Sequence, residues 1–138
     1  MFLVGFPLLL VPFAFYNIMA FLMPGVGWTG ALITVHMMSG GDWAMSAGDM
    51  LVTLAILLLF GEMMKSTRIG IRTVVDHALS LMLFLGMLVE FLLVKQAASV
   101  TFFLLLVISF VEVLGGFVVT LRSAQRDLTV EGMPNVSS

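Results

Sequence analysis

The sequence predicts an all-α integral membrane fold: four transmembrane helices in a bundle, with a short external β-hairpin or interfacial segment between helices 1 and 2. Three observations lead there. The 138 residues are 61% hydrophobic and 10% charged, with a mean hydropathy of +1.18, against about 25% charged residues in a soluble domain. The apolar residues gather into four long runs, Phe2 to Met23, Ala47 to Met64, Thr73 to Val94 and Ser99 to Leu121, each close to the roughly 20 residues that cross a bilayer. The runs are continuous rather than alternating. In lipid every backbone group must pair, which selects helices here, since a barrel needs about eight alternating segments.

The first run carries Pro7 and Pro12, which should kink it or confine regular helix to its second half. It has no positive n-region or small-x-small cleavage site, so it reads as a retained helix and not a signal peptide. The loop from 24 to 46 follows. Within it "ALITVHM" alternates, "SGGD" signals a turn, and "WAMS" alternates again. Gly40-Gly41 between two such runs points to a hairpin at the outer membrane surface, with Trp28 and Trp43 anchoring it in the headgroup belt. The rival is a short interfacial helix over Ala31 to Met38; Ile33, Thr34 and Val35 favour strands.

The charge-free cores of the second and third runs, Met50 to Gly61 and Ala78 to Val89, hold 12 residues each. At about 18 Å these are too short to cross alone, so Asp49 or Glu62, and Glu90, must enter the boundary region. Residues 1–122 then form a four-helix membrane domain and 123–138 a polar cytoplasmic tail, read as a frayed terminus. Lys65, Arg68, Arg72, Arg122 and Arg126 fall on one side, and only Lys95 on the other. That bias puts both termini in the cytoplasm.

Glu112 has eleven uncharged residues before it from Thr101 and nine after it to Leu121, so its helix cannot deliver it to either surface. A charge at such depth costs on the order of 3 kcal/mol or more. With no cation in the spans, the neutral acid is expected. In the third span Asp76, Ser80, Leu83, Met87 and Glu90 follow 3-and-4 spacing; in the fourth Thr101, Leu105, Ser109, Glu112, Gly116 and Thr120 do the same. Small and hydroxyl residues so spaced let helices approach and hydrogen-bond, so the two stripes should face each other or the bundle interior.

The threading orders Glu62 inside, Glu112 near mid-depth and Glu90 outside. Such a ladder could relay protons or cations. The plainer reading is polar glue, in which the acids bond to carbonyls, hydroxyls, or Asn17 and Tyr16 of the first span. On that plainer view Glu62 pairs with Lys65 at the boundary and Glu90 is tied to Lys95 by snorkelling.

Other chemistries find little support. No cysteine is present, which excludes disulfides, thiolate metal sites and Cys nucleophiles. His36 and His77 fall on opposite faces and cannot share a haem or zinc; His77 beside Asp76 reads as a helix-start pair. Met37, Met38, Met45 and Met50 near His36 could suit Cu(I), but methionine is common throughout this chain and serves as apolar filler. No nucleophile and base assemble in any recognisable motif, so no enzyme, cofactor or metal site is expected. A net charge of −2 offers nothing to nucleic acid. The expected partners are the lipid bilayer, further copies of the chain, or other membrane proteins.

The stretch from Gly61 to Asp127, with "EMMKSTRIG", "VDHALSLMLFLGMLVEFLL", "TFFLLLVISFVEVLGGF" and "RSAQRD", together with the "SGGDW" turn, resembles small four-span inner-membrane proteins of bacteria. The resemblance implies a bacterial inner membrane and four spans. It carries no activity, so it assigns no residue a role. The leading expectation is a structural or accessory membrane component. A proton- or cation-handling protein using Glu112 comes second, and a membrane enzyme or copper-handling protein last.

Overall fold

A computed structural model describes residues 7–25, 27–66 and 71–131. It is mostly helical: α1 (Leu10–Leu22), α2 (Ala47–Ser66), α3 (Ile71–Leu93) and α4 (Val100–Glu131), with a two-stranded hairpin of β1 (Ala31–His36) and β2 (Asp42–Ser46) between α1 and α2. A single 3-10 turn, Lys95–Ala97, joins α3 to α4.

Helix α1 starts where its prolines allow. Pro12 is the third helical residue, where its missing N–H would have had no intrahelical acceptor in any case. The preceding turn closes through Leu10 N–H to Pro7 O (3.0 Å) and Val11 N–H to Leu8 O (3.1 Å). At 13 residues α1 is about 20 Å long, short of a bilayer's hydrocarbon core.

Among the described residues three helices are long and apolar enough to cross a membrane, over Ala47–Met64, Val74–Leu93 and Val100–Val118. Their outward faces are apolar too: Phe60, Met82 and Leu92 are each about two-thirds exposed. Where a frayed tail was expected after Arg122, α4 continues to Glu131.

The hairpin is antiparallel, pairing Ile33 with Met45, Thr34 with Ala44, Val35 with Trp43 and His36 with Asp42, with an irregularity between Ala31 and Ile33. The turn closes through Gly40 N–H to Met37 O and Met37 N–H to Gly41 O. Gly40 has φ +92°, which a side chain would disfavour. The alternative helix over Ala31 to Met38 is therefore excluded.

Strand β2 ends at Ser46 and α2 begins at Ala47. Ser46 and Asp49 form a reciprocal cap at this junction. The Asp49 N–H donates to Ser46 Oγ (3.1 Å) and the Ser46 N–H to Asp49 Oδ2 (3.0 Å).

Helix α4 is central, packing along both α2 and α3, which touch each other only sparingly. Gly48 sets the α2–α4 approach. A Cβ there would collide with Thr101 Oγ1 and lie 2.8 Å from Trp28 O, so α2 and α4 begin at the same end of the bundle. Helix α3 runs antiparallel to α4 in steady register, His77 against Gly116, Phe84 against Phe110, and Phe91 against Phe102 and Phe103.

The core gathers Tyr16, Leu51, Ala55, Met87, Ala97, Phe102, Leu105 and Leu106. Trp28 is partly buried and stacks on Tyr16 with centroids 4.5 Å apart and planes within 5°.

Candidate functional site

The site is the set of polar side chains inside the bundle. On α4, Thr101, Leu105, Ser109 and Glu112 are buried; on α3, Ser80 and Met87 are buried, with Asp76, Leu83 and Glu90 partly so. The 3-and-4 spacing thus marks the inward face of each helix. The Thr120 side chain lies outside the described residues.

The two stripes meet at Ser80, whose hydroxyl donates to Glu112 Oε1 at 2.5 Å, with both residues buried. A hydroxyl donor at that distance is within the range of a strong bond to a carboxyl oxygen. One turn away on α4, Ser109 is fully buried, and its Oγ has no partner among the described residues. Further along the seam the His77 ring rests on Gly116: a Cβ at 116 would lie 2.6 Å from His77 Nδ1, itself buried and without a partner among the described residues. His77 therefore faces α4, six residues into its helix, and is not a helix-start pair with Asp76. The helix begins at Ile71, ahead of the expected Thr73, so position 77 lies inside it, three residues before the buried Ser80 and on the same side.

Glu62 is also buried. Its Oε1 accepts the backbone N–H of Leu8, just before α1. Gly61 makes room for this, since a Cβ there would sit 3.0 Å from Leu8 Cδ1. The carboxylate meets a donor that the proline-interrupted chain leaves without a helical acceptor. The expected partner, Lys65, has its side chain outside the described residues, as do Arg72 and the whole of Arg68.

Glu90 Oε2 accepts from Asn17 Nδ2 at 3.4 Å, and the same amide donates to Phe13 O at 3.0 Å. Lys95, the partner expected from snorkelling, is exposed on the 3-10 turn. The sequence offered Asn17 and Tyr16 as partners for the acids. Asn17 bonds to Glu90. The Tyr16 hydroxyl donates to Gln96 O at 2.9 Å and lies 2.6 Å from Ser99 Oγ. Ser99 in turn accepts the Phe102 N–H at 3.1 Å and so caps α4. A serine just ahead of an apolar run is a legible cap signal. Its tyrosine partner, 83 residues away, leaves no local trace.

Counting from the shared level of Gly48 and Thr101, Glu112 lies about 16 Å along the bundle and Glu62 about 21 Å. Glu90, three residues from the close of α3, is near that starting level, at the other end from Glu62. Each acid belongs to a separate node. Glu62 binds α2 to the start of α1, Glu90 links α3 to α1, and Glu112 links α4 to α3. The seam offers hydrogen bonding between helices and, among the described residues, no cluster of three metal-binding side chains.

Compared with protein-family models, curated proteins and solved structures, the chain gives no match.

Proposed function

We propose that this chain is a small polytopic protein of the bacterial inner membrane, a structural or accessory component that acts in a homo- or hetero-oligomer and catalyses no reaction. In this reading the first apolar run, of which residues 2–6 lie outside the described residues, supplies a fourth span that includes α1, and both termini are cytoplasmic. The apolar outer faces of α2, α3 and α4 support membrane placement. The basic bias supports the orientation.

One observation carries the structural role: each of Glu62, Glu90 and Glu112 hydrogen-bonds a different helix or its leading segment. Acids kept at a cost in oil are here employed as fasteners. Such a bundle is a prefolded unit to present to larger partners or to itself.

The rival is proton or cation handling, with Glu112 titrating between Glu90 and Glu62. Ser109 Oγ and His77 Nδ1, buried without partners among the described residues, favour it, because polar atoms of this kind attract water. The spacing weighs against it. Ser80, at the level of Glu112, is about 15 Å along α3 from Glu90, and buried Met87 stands between them on that face.

Glu112→Gln separates the two. As a fastener the amide still bonds to Ser80, so the variant should fold and assemble like the wild type, while wild-type proteoliposomes carry no pH-driven flux. Flux through the wild type that disappears in Glu112→Gln would overturn the structural reading.

A further inference from the structure

The β1–β2 ribbon has two unlike faces. Direct cross-strand partners share a face, so Ile33, Val35, Trp43 and Met45 stand on one side, and Thr34, His36, Asp42 and Ala44 on the other. The first side is wholly apolar. The second carries an exposed ion pair, His36 Nδ1 to Asp42 Oδ1 at 2.8 Å. Yet the apolar side is not covered by the bundle: Ile33, Val35 and Trp43 are 50%, 41% and 52% exposed. An isolated two-stranded ribbon is barely stable in water and needs something against its apolar face.

We propose that this face lies on the bilayer surface, with Ile33, Val35, Trp43 and Met45 against lipid at headgroup depth and the His36–Asp42 pair toward water. This rests on the membrane placement of the bundle. Three observations select lipid as the occupant. The ribbon is continuous with the membrane-crossing part, since β2 ends at Ser46 and the apolar window of α2 opens at Ala47. That junction is pinned by the Ser46–Asp49 cap and by the Gly48 N–H to Trp28 O bond, so the ribbon leaves the bundle at the boundary itself. Trp43, the largest side chain on the face, is of the type that collects at headgroup level. The edges fix the depth. Both outer edges of a two-stranded sheet carry unpaired backbone groups, which hydrocarbon would not tolerate and hydrated headgroups will.

The chain has no cysteine, so single cysteines report without background. Thr34→Cys, Val35→Cys and Val107→Cys variants of the full chain are placed in phosphatidylcholine nanodiscs, where both leaflets meet solvent, and treated with a membrane-impermeant maleimide. Val107 lies on the outward face of α4 and reports on the bundle. Fast labelling at Thr34→Cys with protection at Val35→Cys and Val107→Cys is the expected result. Labelling at Val35→Cys with protection at Val107→Cys overturns the ribbon proposal alone. Labelling at Val107→Cys overturns the membrane placement beneath it.

Protection could also come from a second copy of the chain. The Trp28→Phe variant, with Trp43 as its remaining tryptophan, is therefore compared in plain and brominated phosphatidylcholine. Lipid contact predicts loss of most Trp43 emission, more with bromines near the headgroup than with deep ones. Protection at Val35→Cys without quenching would assign the face to protein and overturn the proposal. If Trp28→Phe fails to fold, the difference between wild type and Trp43→Phe gives the same emission.

Discussion

Ser80 and Glu112 face each other across a seam from which solvent is excluded, 32 residues apart in sequence and 2.5 Å apart in space. Removing either partner breaks this bond between α3 and α4. Ser80→Ala and Glu112→Ala should each lower unfolding stability by about 1–3 kcal/mol. The double variant should lose less than the two singles combined, with a coupling of about 1 kcal/mol. Denaturation in mixed micelles reads both. Additive losses would mean that the two groups do not act together. The two stripes were legible in the sequence, because 3-and-4 spacing marks one face of each helix; the pairing of Ser80 with Glu112 along them comes from the structure. The partners of Glu62 and Tyr16 were not: one bonds a backbone amide, the other a carbonyl and a capping serine. Side-chain patterns carry no record of which main-chain group a prolined segment leaves unsatisfied.

At the scale of elements, glycines separate close packing from open surface. Gly116 lies under the His77 ring, whereas a Cβ on its neighbour Gly115 would meet nothing within 4 Å. Gly116→Ala should push α3 from α4 and lower the melting temperature. Gly115→Ala should be neutral or slightly stabilising, since alanine favours helix by up to about 1 kcal/mol over glycine. Thermal denaturation of the two variants in one detergent makes the comparison, and equal melting points would refute the close approach at Gly116. The helices were readable because apolar runs bounded by charge give their length. Two features were hidden. The continuation of α4 to Glu131 crosses a polar segment that hydropathy discounts. The stacking of Trp28 on Tyr16 has no local pattern to announce it.

For the molecule as a whole, the arrangement of ends is the testable feature. The close of α2, the start of α3 and the far half of α4 share one end of the bundle, opposite the hairpin and Lys95. With that end in the cytoplasm, reporters fused to either terminus should both be protected from protease added outside intact spheroplasts. Cleavage at one terminus alone would reduce the count to three crossings.

The abrupt passage from Ser46 to Ala47 has a mechanical consequence. With no joint between ribbon and rod, a swing of the hairpin either breaks the cap at Asp49 or turns α2 as a stiff lever. Because Gly48 bears directly on Thr101, that torque passes into α4 at its first turn. Whatever grips the ribbon thus gains leverage over the central shaft of the molecule.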